Sequence, residues 1–249
     1  MNNDEYIKLA EVEDQMWYFQ SLHQRAIAGL GLGGPALAEG PFLDAGCGTG
    51  GFIKRLVRAF PDRRVEGIDF SPLACELAQE RTQARIEVAS ITALPFAEGS
   101  FAAVTSLDVV VQVEDPGLAI REFFRVLRPG GRVVINAAAY RWLWSYHDDS
   151  CQTRHRFTRP ELAGLVEAAG FEIERSTYWN LIPLPLIVAK RKLFRRASDT
   201  SDVRLYPRPV EALFRWAMAA EEAWIEQVSA LPAGTSVHIV ARKPTASSP

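Results

Sequence analysis

Two groups of residues carry chemistry in this chain. In Phe42-Leu43-Asp44-Ala45-Gly46-Cys47-Gly48-Thr49-Gly50-Gly51-Phe52 an acid is followed by three glycines at every second position. A second carboxylate, Asp69, ends Arg64-Val65-Glu66-Gly67-Ile68-Asp69, about 20 residues further on, where a doubly wound sheet places an acid for ribose hydroxyls. Glycines admit positive φ and let a ligand approach main-chain N–H groups. A helix N-terminus after such a turn favours negative or polar ligand groups. The other group is Tyr140-Arg141-Trp142-Leu143-Trp144-Ser145-Tyr146-His147-Asp148-Asp149, which holds a base and a carboxylate among aromatics. An imidazole titrates near neutrality and a carboxylate can orient it, so His147 and Asp148 are the candidates for general-base work. The open alternative is that His147 is a polar loop residue.

These residues need elements to hold them. Phe42 to Ala45 reads as a strand, and Phe52, Ile53, Leu56, Val57 and Phe60 recur at helix spacing up to Pro61. Strands are expected around Arg64–Asp69, Arg85–Ala89, Ala103–Val111, Val133–Ile135, Phe171–Trp179 and Ser236–Lys243. Ser71-Pro72, Asp115-Pro116 and the Thr158/Glu161 capping box start helices between them. Asp4 to Leu30 reads as one opening helix bearing Met16-Trp17-Tyr18-Phe19. Alternating strands and helices predict an α/β, doubly wound sheet.

The glycine spacing is D-x-G-x-G-x-G and not the G-x-G-x-x-G of dinucleotide sites. It resembles motif I of the class I S-adenosylmethionine-dependent methyltransferases. The resemblance continues through Asp69-Phe70-Ser71-Pro72, Leu94-Pro95-Phe96, Ser106-Leu107-Asp108 and Arg125-Val126-Leu127-Arg128-Pro129-Gly130-Gly131, covering roughly residues 40–140 in order. It implies a seven-stranded, mostly parallel Rossmann-like sheet, with the last strand antiparallel between strands five and six. It also implies S-adenosylmethionine as cofactor and methyl transfer as the reaction. By resemblance, Asp44, Gly46, Cys47, Gly48 and Gly50 form the turn beside the methionine and ribose. Asp69 holds the ribose hydroxyls, Phe70 packs beside the adenine, Ser90 and Ile91 border the base, and Leu107 faces the methionine end. The family has an aspartate where this chain has Ser90, and Glu-His where it has Val111-Gln112. The N-terminal segment is expected to act as a lid, as in related methyltransferases.

On this reading residues 1–40 form a helical lid, and 41–179 with 235–245 form the cofactor-binding core. Residues 180–234 are a helical insert before the last strand. Trp17, Tyr18, Tyr140, Trp144 and Tyr178 are the acceptor-side candidates, placed by inference from neighbouring strands, and they favour a small-molecule or lipid-like acceptor. In the insert, apolar 181–188 runs into basic Lys190-Arg191-Lys192-Leu193-Phe194-Arg195-Arg196. That pattern suits either a core-packing cap or peripheral membrane contact through 181–196. Pro183 and Pro185 argue against a regular helix at its start. A homodimer contact is the third use for such an insert.

Composition excludes several classes. With 249 residues, 48% of them hydrophobic, the chain can bury a full core. A net charge of -2 gives no basic surface for nucleic acid. Cys47, Cys75 and Cys151 form no disulfide framework, and His147, Asp148, Asp149, Cys151 and His155 match no tight zinc spacing, so no metal is expected. A polar N-terminus and three scattered cysteines predict a cytoplasmic protein. Two rival functions stand beside methyl transfer: a non-methylating enzyme on the same cofactor, by intramolecular displacement or other alkyl transfer, and a non-catalytic binding module.

Overall fold

The computed structural model describes residues 1–32, 37–192 and 201–245. Alternating apolar segments form one seven-stranded sheet: β1 (Phe42–Ala45), β2 (Val65–Asp69), β3 (Arg85–Val88), β4 (Phe101–Leu107), β5 (Leu127–Ala138), β6 (Glu172–Trp179) and β7 (Ser236–Arg242). Their order is β3-β2-β1-β4-β5-β7-β6. β7 runs antiparallel to both β5 and β6, and the other pairs are parallel. The expected position and direction of the last strand are therefore correct. β1 and β2 are buried throughout, as expected for strands covered on both faces.

Helices cover the sheet where their caps dictate. Ahead of the sheet lie α1 (Asn3–Val12) and α2 (Trp17–Leu30). Around it run α3 (Gly51–Ala59), α4 (Pro72–Arg81), α5 (Pro116–Val126), α6 (Tyr146–Ser150) and α7 (Arg159–Ala168). Ser71 Oγ accepts from Ala74 N (3.3 Å) and Asp115 Oδ1 from Leu118 N (2.9 Å), each ahead of a proline that has no N–H to leave unpaired. The insert contributes α8 (Leu184–Lys192) and α9 (Arg208–Val228).

Two expectations need correction. The opening helix is broken at residues 13–16, where Glu13 and Asp14 turn away to bind Thr49, Lys54 and Arg81. Pro185 lies inside α8, because a proline in the first helical turn sacrifices no intrahelical bond. None of the described residues of α8 is buried, and Leu186 is 62% exposed. Residues 193–196 of the basic run lie outside the described residues.

α9 fastens the insert to the N-terminal helices. Trp17 stacks on Phe214 (centroids 4.8 Å apart, 22° between planes), and both belong to an apolar cluster with Leu22, Met218, Ile225 and Trp179. Two buried carboxylates tie the chain around this cluster. Glu211 accepts from Trp17 N (2.7 Å) and Tyr206 N (3.0 Å), while Glu221 accepts from the N–H groups of Asn180, Leu181 and Ile182. Each carboxylate replaces water for backbone donors that no strand or helix partner reaches.

Candidate active site

The parallel strands β1, β2 and β4 end at Ala45, Asp69 and Leu107, and a large cavity opens beyond those ends, where open α/β sheets bind ligands. Its volume is about 1210 Å³, above the roughly 300–1,000 Å³ usual for one small molecule. Walls come from α1 and α2, the glycine turn, the exits of β2 and β4, α6, α8 and residues 202–206.

The glycine turn forms the floor. Gly46 N and Cys47 N both donate to Ile68 O (2.8 Å each), which draws the turn across the end of β2. Gly46 has φ +96°, and a Cβ there would lie 2.3 Å from a Val109 methyl, so only glycine fits. Gly50 caps α3 at φ +83° and does not line the cavity. Its role is to turn the chain, where the sequence reading had placed it against the ligand. Cys47 lines the wall, and burial raises its thiol pKa well above the usual value, so it is an inert thiol.

Asp69 is buried at the end of β2. Its carboxylate accepts from Gly48 N (2.9 Å), Ser71 N (2.9 Å) and Tyr6 Oη (3.1 Å). Two backbone donors thus fix the carboxylate plane, and α1 reaches it through Tyr6. Asp44, beneath it, accepts from Thr105 Oγ1 (2.8 Å). Burial pushes the Asp44 carboxyl up to about 7, with the Asp69 and Glu13 charges adding to the rise against the Thr105 bond. Phe70 stands 80% exposed on the rim. Ser90 and Ile91 line the same end, with Ser90 Oγ 2.8 Å from Thr92 Oγ1.

On the far side of Leu107 the backbone reaches φ +62° at Asp108. Asp108 accepts from Tyr18 Oη (2.8 Å) and Asn136 Nδ2 (2.7 Å), and Asn136 Oδ1 accepts from Trp179 Nε1 (2.7 Å). Tyr18 stacks on Trp179 (5.4 Å, 18°). Burial raises the Asp108 carboxyl pKa, and the same burial raises the Tyr18 phenol well above its usual value. This network joins α2 to the exits of β4, β5 and β6, and Tyr18 and Asp108 face the cavity.

His147 and Asp148 both line the cavity, yet they differ in surroundings. Asp148 is buried in an ion pair with Arg156 (2.7 and 3.1 Å) and accepts from Ser145 N (2.8 Å) as part of the α6 capping box. Its oxygens are committed to structure. His147 Nδ1 accepts from Asp202 N (3.2 Å). Burial, then the Arg191 charge, lowers the imidazole to about 4, so it is neutral at physiological pH.

Of the acceptor-side candidates, Trp17 and Tyr18 face the cavity, while Tyr140, Trp144 and Tyr178 do not. Tyr140 (φ +57°) stacks on Tyr178 (5.0 Å, 22°), and Tyr178 Oη accepts from Arg159 N (2.8 Å). Trp144 Nε1 donates to Asp149 (3.0 Å). Tyr178 lies on β6, the edge strand beyond β7, and Tyr140 and Trp144 follow the end of β5, outside the cavity lining. Sequence reasoning missed Tyr6, Asn180 and Asp202, and read Lys190 and Arg191 only as part of the basic run of the insert. No local pattern marks the first three, since each reaches the cavity through tertiary packing.

Comparison with known proteins bears on the middle of the chain. Residues 43–135 match the family model described as a methyltransferase domain. These residues therefore carry a methyltransferase domain. An uncharacterized 37.1 kDa protein in a transposon of Streptomyces fradiae is 30% identical over 82% of this chain and 62% of its own length. Demethylmenaquinone methyltransferase of Thermus thermophilus is 38% identical over 40% of this chain and 49% of its own length. The chain thus spans less than two thirds of these curated relatives. Among solved structures, geranyl diphosphate C-methyltransferase from Streptomyces coelicolor, in complex with Mg2+, geranyl diphosphate and S-adenosyl-L-homocysteine, superposes with a TM-score of 0.62. It is 19% identical and covers 90% of this chain and 79% of that one, a likeness of fold.

The residues present fit the S-adenosylmethionine that the motif resemblance implies. The cavity exceeds the size of a single-ligand pocket, Asp69 offers a carboxylate fixed by two backbone N–H groups, and Phe70 presents an exposed ring beside it. No described helix is long and apolar enough to cross a membrane.

Proposed function

We propose that this protein transfers the methyl group of S-adenosylmethionine to a small-molecule or lipid-like acceptor. The observation that carries the reading is one continuous cavity from the glycine turn and Asp69, past Tyr18 and Asp108, to the insert. The cofactor supplies an electrophilic methyl on a sulfonium, so the protein's task is chiefly to hold an acceptor in line with it. Asp69 would bind the ribose hydroxyls, the Gly46–Gly48 turn would flank the methionine end, and Ser90 and Ile91 would border the base. Tyr18 and Asp108 stand where the acceptor approaches. α1, α2 and the insert would exclude water as a lid, which lowers the local dielectric and strengthens polar contacts inside. A neutral His147 can accept a proton from an acidic acceptor, but a base with so low a pKa removes no proton from an ordinary alcohol.

The test is incubation of the full chain with methyl-labelled S-adenosylmethionine and host extract, followed by organic and aqueous partition. Label in an extracted product supports methyl transfer, and the phase gives the acceptor class. Cofactor breakdown without any acceptor would instead favour a non-methylating reaction.

A further inference from the structure

At the end of the cavity remote from the glycine turn, α8 presents Lys190 and Arg191 to the same carboxylate. Asp202 Oδ1 accepts from Lys190 Nζ, and Asp202 Oδ2 accepts from Arg191 Nε (2.8 Å) and lies 2.7 Å from Arg191 Nη2. Tyr146 Oη adds a fourth donor, 2.9 Å from Asp202 Oδ1. One negative charge therefore faces two positive ones, and neither cation is out in water: the Arg191 side chain is 9% exposed and the Lys190 side chain 24%. The other two arginines on the wall differ, because Arg154 has Glu114 (3.1 Å) and Arg156 has Asp148, each one to one. The neighbouring base cannot supply the missing negative charge, since His147 is neutral and takes its hydrogen bond from Asp202 N.

The donor inventory points the same way. A guanidinium carries five N–H donors, and Asp202 engages only its Nε and Nη2 positions. Lys190 spends donors on Asp202 and, at 3.4 Å, on Tyr206 Oη. A half-buried cation pair sharing one carboxylate is stabilised by a second anion. Ile187 and Val203, apolar side chains on the same stretch of wall, lie among these groups.

We infer that Lys190 and Arg191 bind an anionic oxygen group, a phosphate or carboxylate, at one end of a partly apolar acceptor. The inference rests on the methyl-transfer reading of this cavity and names the acceptor's charge. Asp202 positions the two cations and leaves one charge for the ligand. The apolar body of the acceptor then lies along Ile187 and Val203 toward Tyr18 and Asp108.

The test is calorimetric titration of the full chain, saturated with S-adenosylhomocysteine, with n-octyl phosphate and with n-octanol. Octyl phosphate should bind at least tenfold tighter than octanol, and Lys190→Gln/Arg191→Gln should lose that preference while its S-adenosylhomocysteine affinity stays within about twofold. Should the double variant fail to fold, Lys190→Gln alone, at the more exposed cation, should still weaken octyl phosphate about threefold or more. Equal affinity for the two probes, or unchanged octyl phosphate binding in a folded variant, overturns the inference and leaves the methyl-transfer reading intact. Failure of the wild-type chain to bind S-adenosylhomocysteine would overturn the underlying reading instead.

Discussion

Asp69→Ala separates cofactor binding from fold better than any other substitution. In the native site the carboxylate takes Gly48 N, Ser71 N and Tyr6 Oη, so its removal has two consequences that are measured apart. Two backbone donors lose their acceptor, which costs about 1–3 kcal/mol of stability for a buried group and less where water enters from the cavity. On the proposed reading the ribose hydroxyls lose their charged partner, and hydrogen bonds to charged groups contribute about 1.5–3 kcal/mol each. Three donors already share the two oxygens, so the lower value applies to each of two ribose bonds. The sum is about 3 kcal/mol, which corresponds to roughly 100-fold weaker binding. Calorimetric titration with S-adenosylhomocysteine reads the second effect, and urea unfolding of the ligand-free protein reads the first. A folded variant that binds within about threefold of wild type would refute the assignment of Asp69 to the ribose.

Three further outcomes follow from the electrostatics. The Asp44 carboxyl has its native pKa raised from 3.8 to about 7, so the folded state holds the proton more tightly than the unfolded one. Its contribution to stability is full below pH 4 and is lost as pH rises through 7, on the order of 4 kcal/mol at most. Melting temperatures between pH 4 and 8 should therefore fall in wild type relative to Asp44→Asn, and parallel curves would show the group to be ionised throughout. Because burial lowers His147 to about 4, the imidazole should contribute no limb to methyl-transfer rates from about pH 6 to 8. A limb near 6.5 that disappears in His147→Gln would mean that the imidazole is solvated. Asp148→Ala strands Arg156 without its buried partner and should lower unfolding free energy by about 3–5 kcal/mol in urea. Loss of activity at unchanged stability would make Asp148 a catalytic residue after all.

The sheet and the cofactor side were legible because both are written locally. A glycine turn, an acid at a strand end and the Ser71, Asp115 and Thr158 caps each sit within a few residues of the element they govern. The strand order followed from the family resemblance, and β7 lies where that resemblance places it. Local reading failed where a short-range rule had two outcomes. Pro185 is tolerated because it falls in the first turn of α8, and one periodic stripe from Asp4 to Leu30 hides the break at Glu13 and Asp14, whose partners Thr49, Lys54 and Arg81 are far along the chain. Aromatic content misled as well. Tyr140 and Tyr178 are a stacked pair outside the cavity lining, while the single Tyr18 at the foot of α2 faces it.

The acceptor side is non-local for a physical reason. Tyr18, Asp108, His147, Asn180, Lys190 and Asp202 come from six separate segments, and no two of them share an element. What brings them together is the pair of buried carboxylates on α9, Glu211 and Glu221, which bind backbone N–H groups on both sides of the cavity mouth. A carboxylate can hold several N–H groups that have no fixed sequence relation to it, so this device leaves no spacing for a motif search to find. It also ties the insert and the N-terminal helices into one body, since Glu211 joins Trp17 N of α2 to Tyr206 N beside α9. If that body opens to admit the acceptor, Glu211→Gln should loosen it by weakening two charge-assisted bonds. Amide exchange would then speed up at Trp17 and Tyr206 together, and exchange at one without the other would show that the two segments open independently.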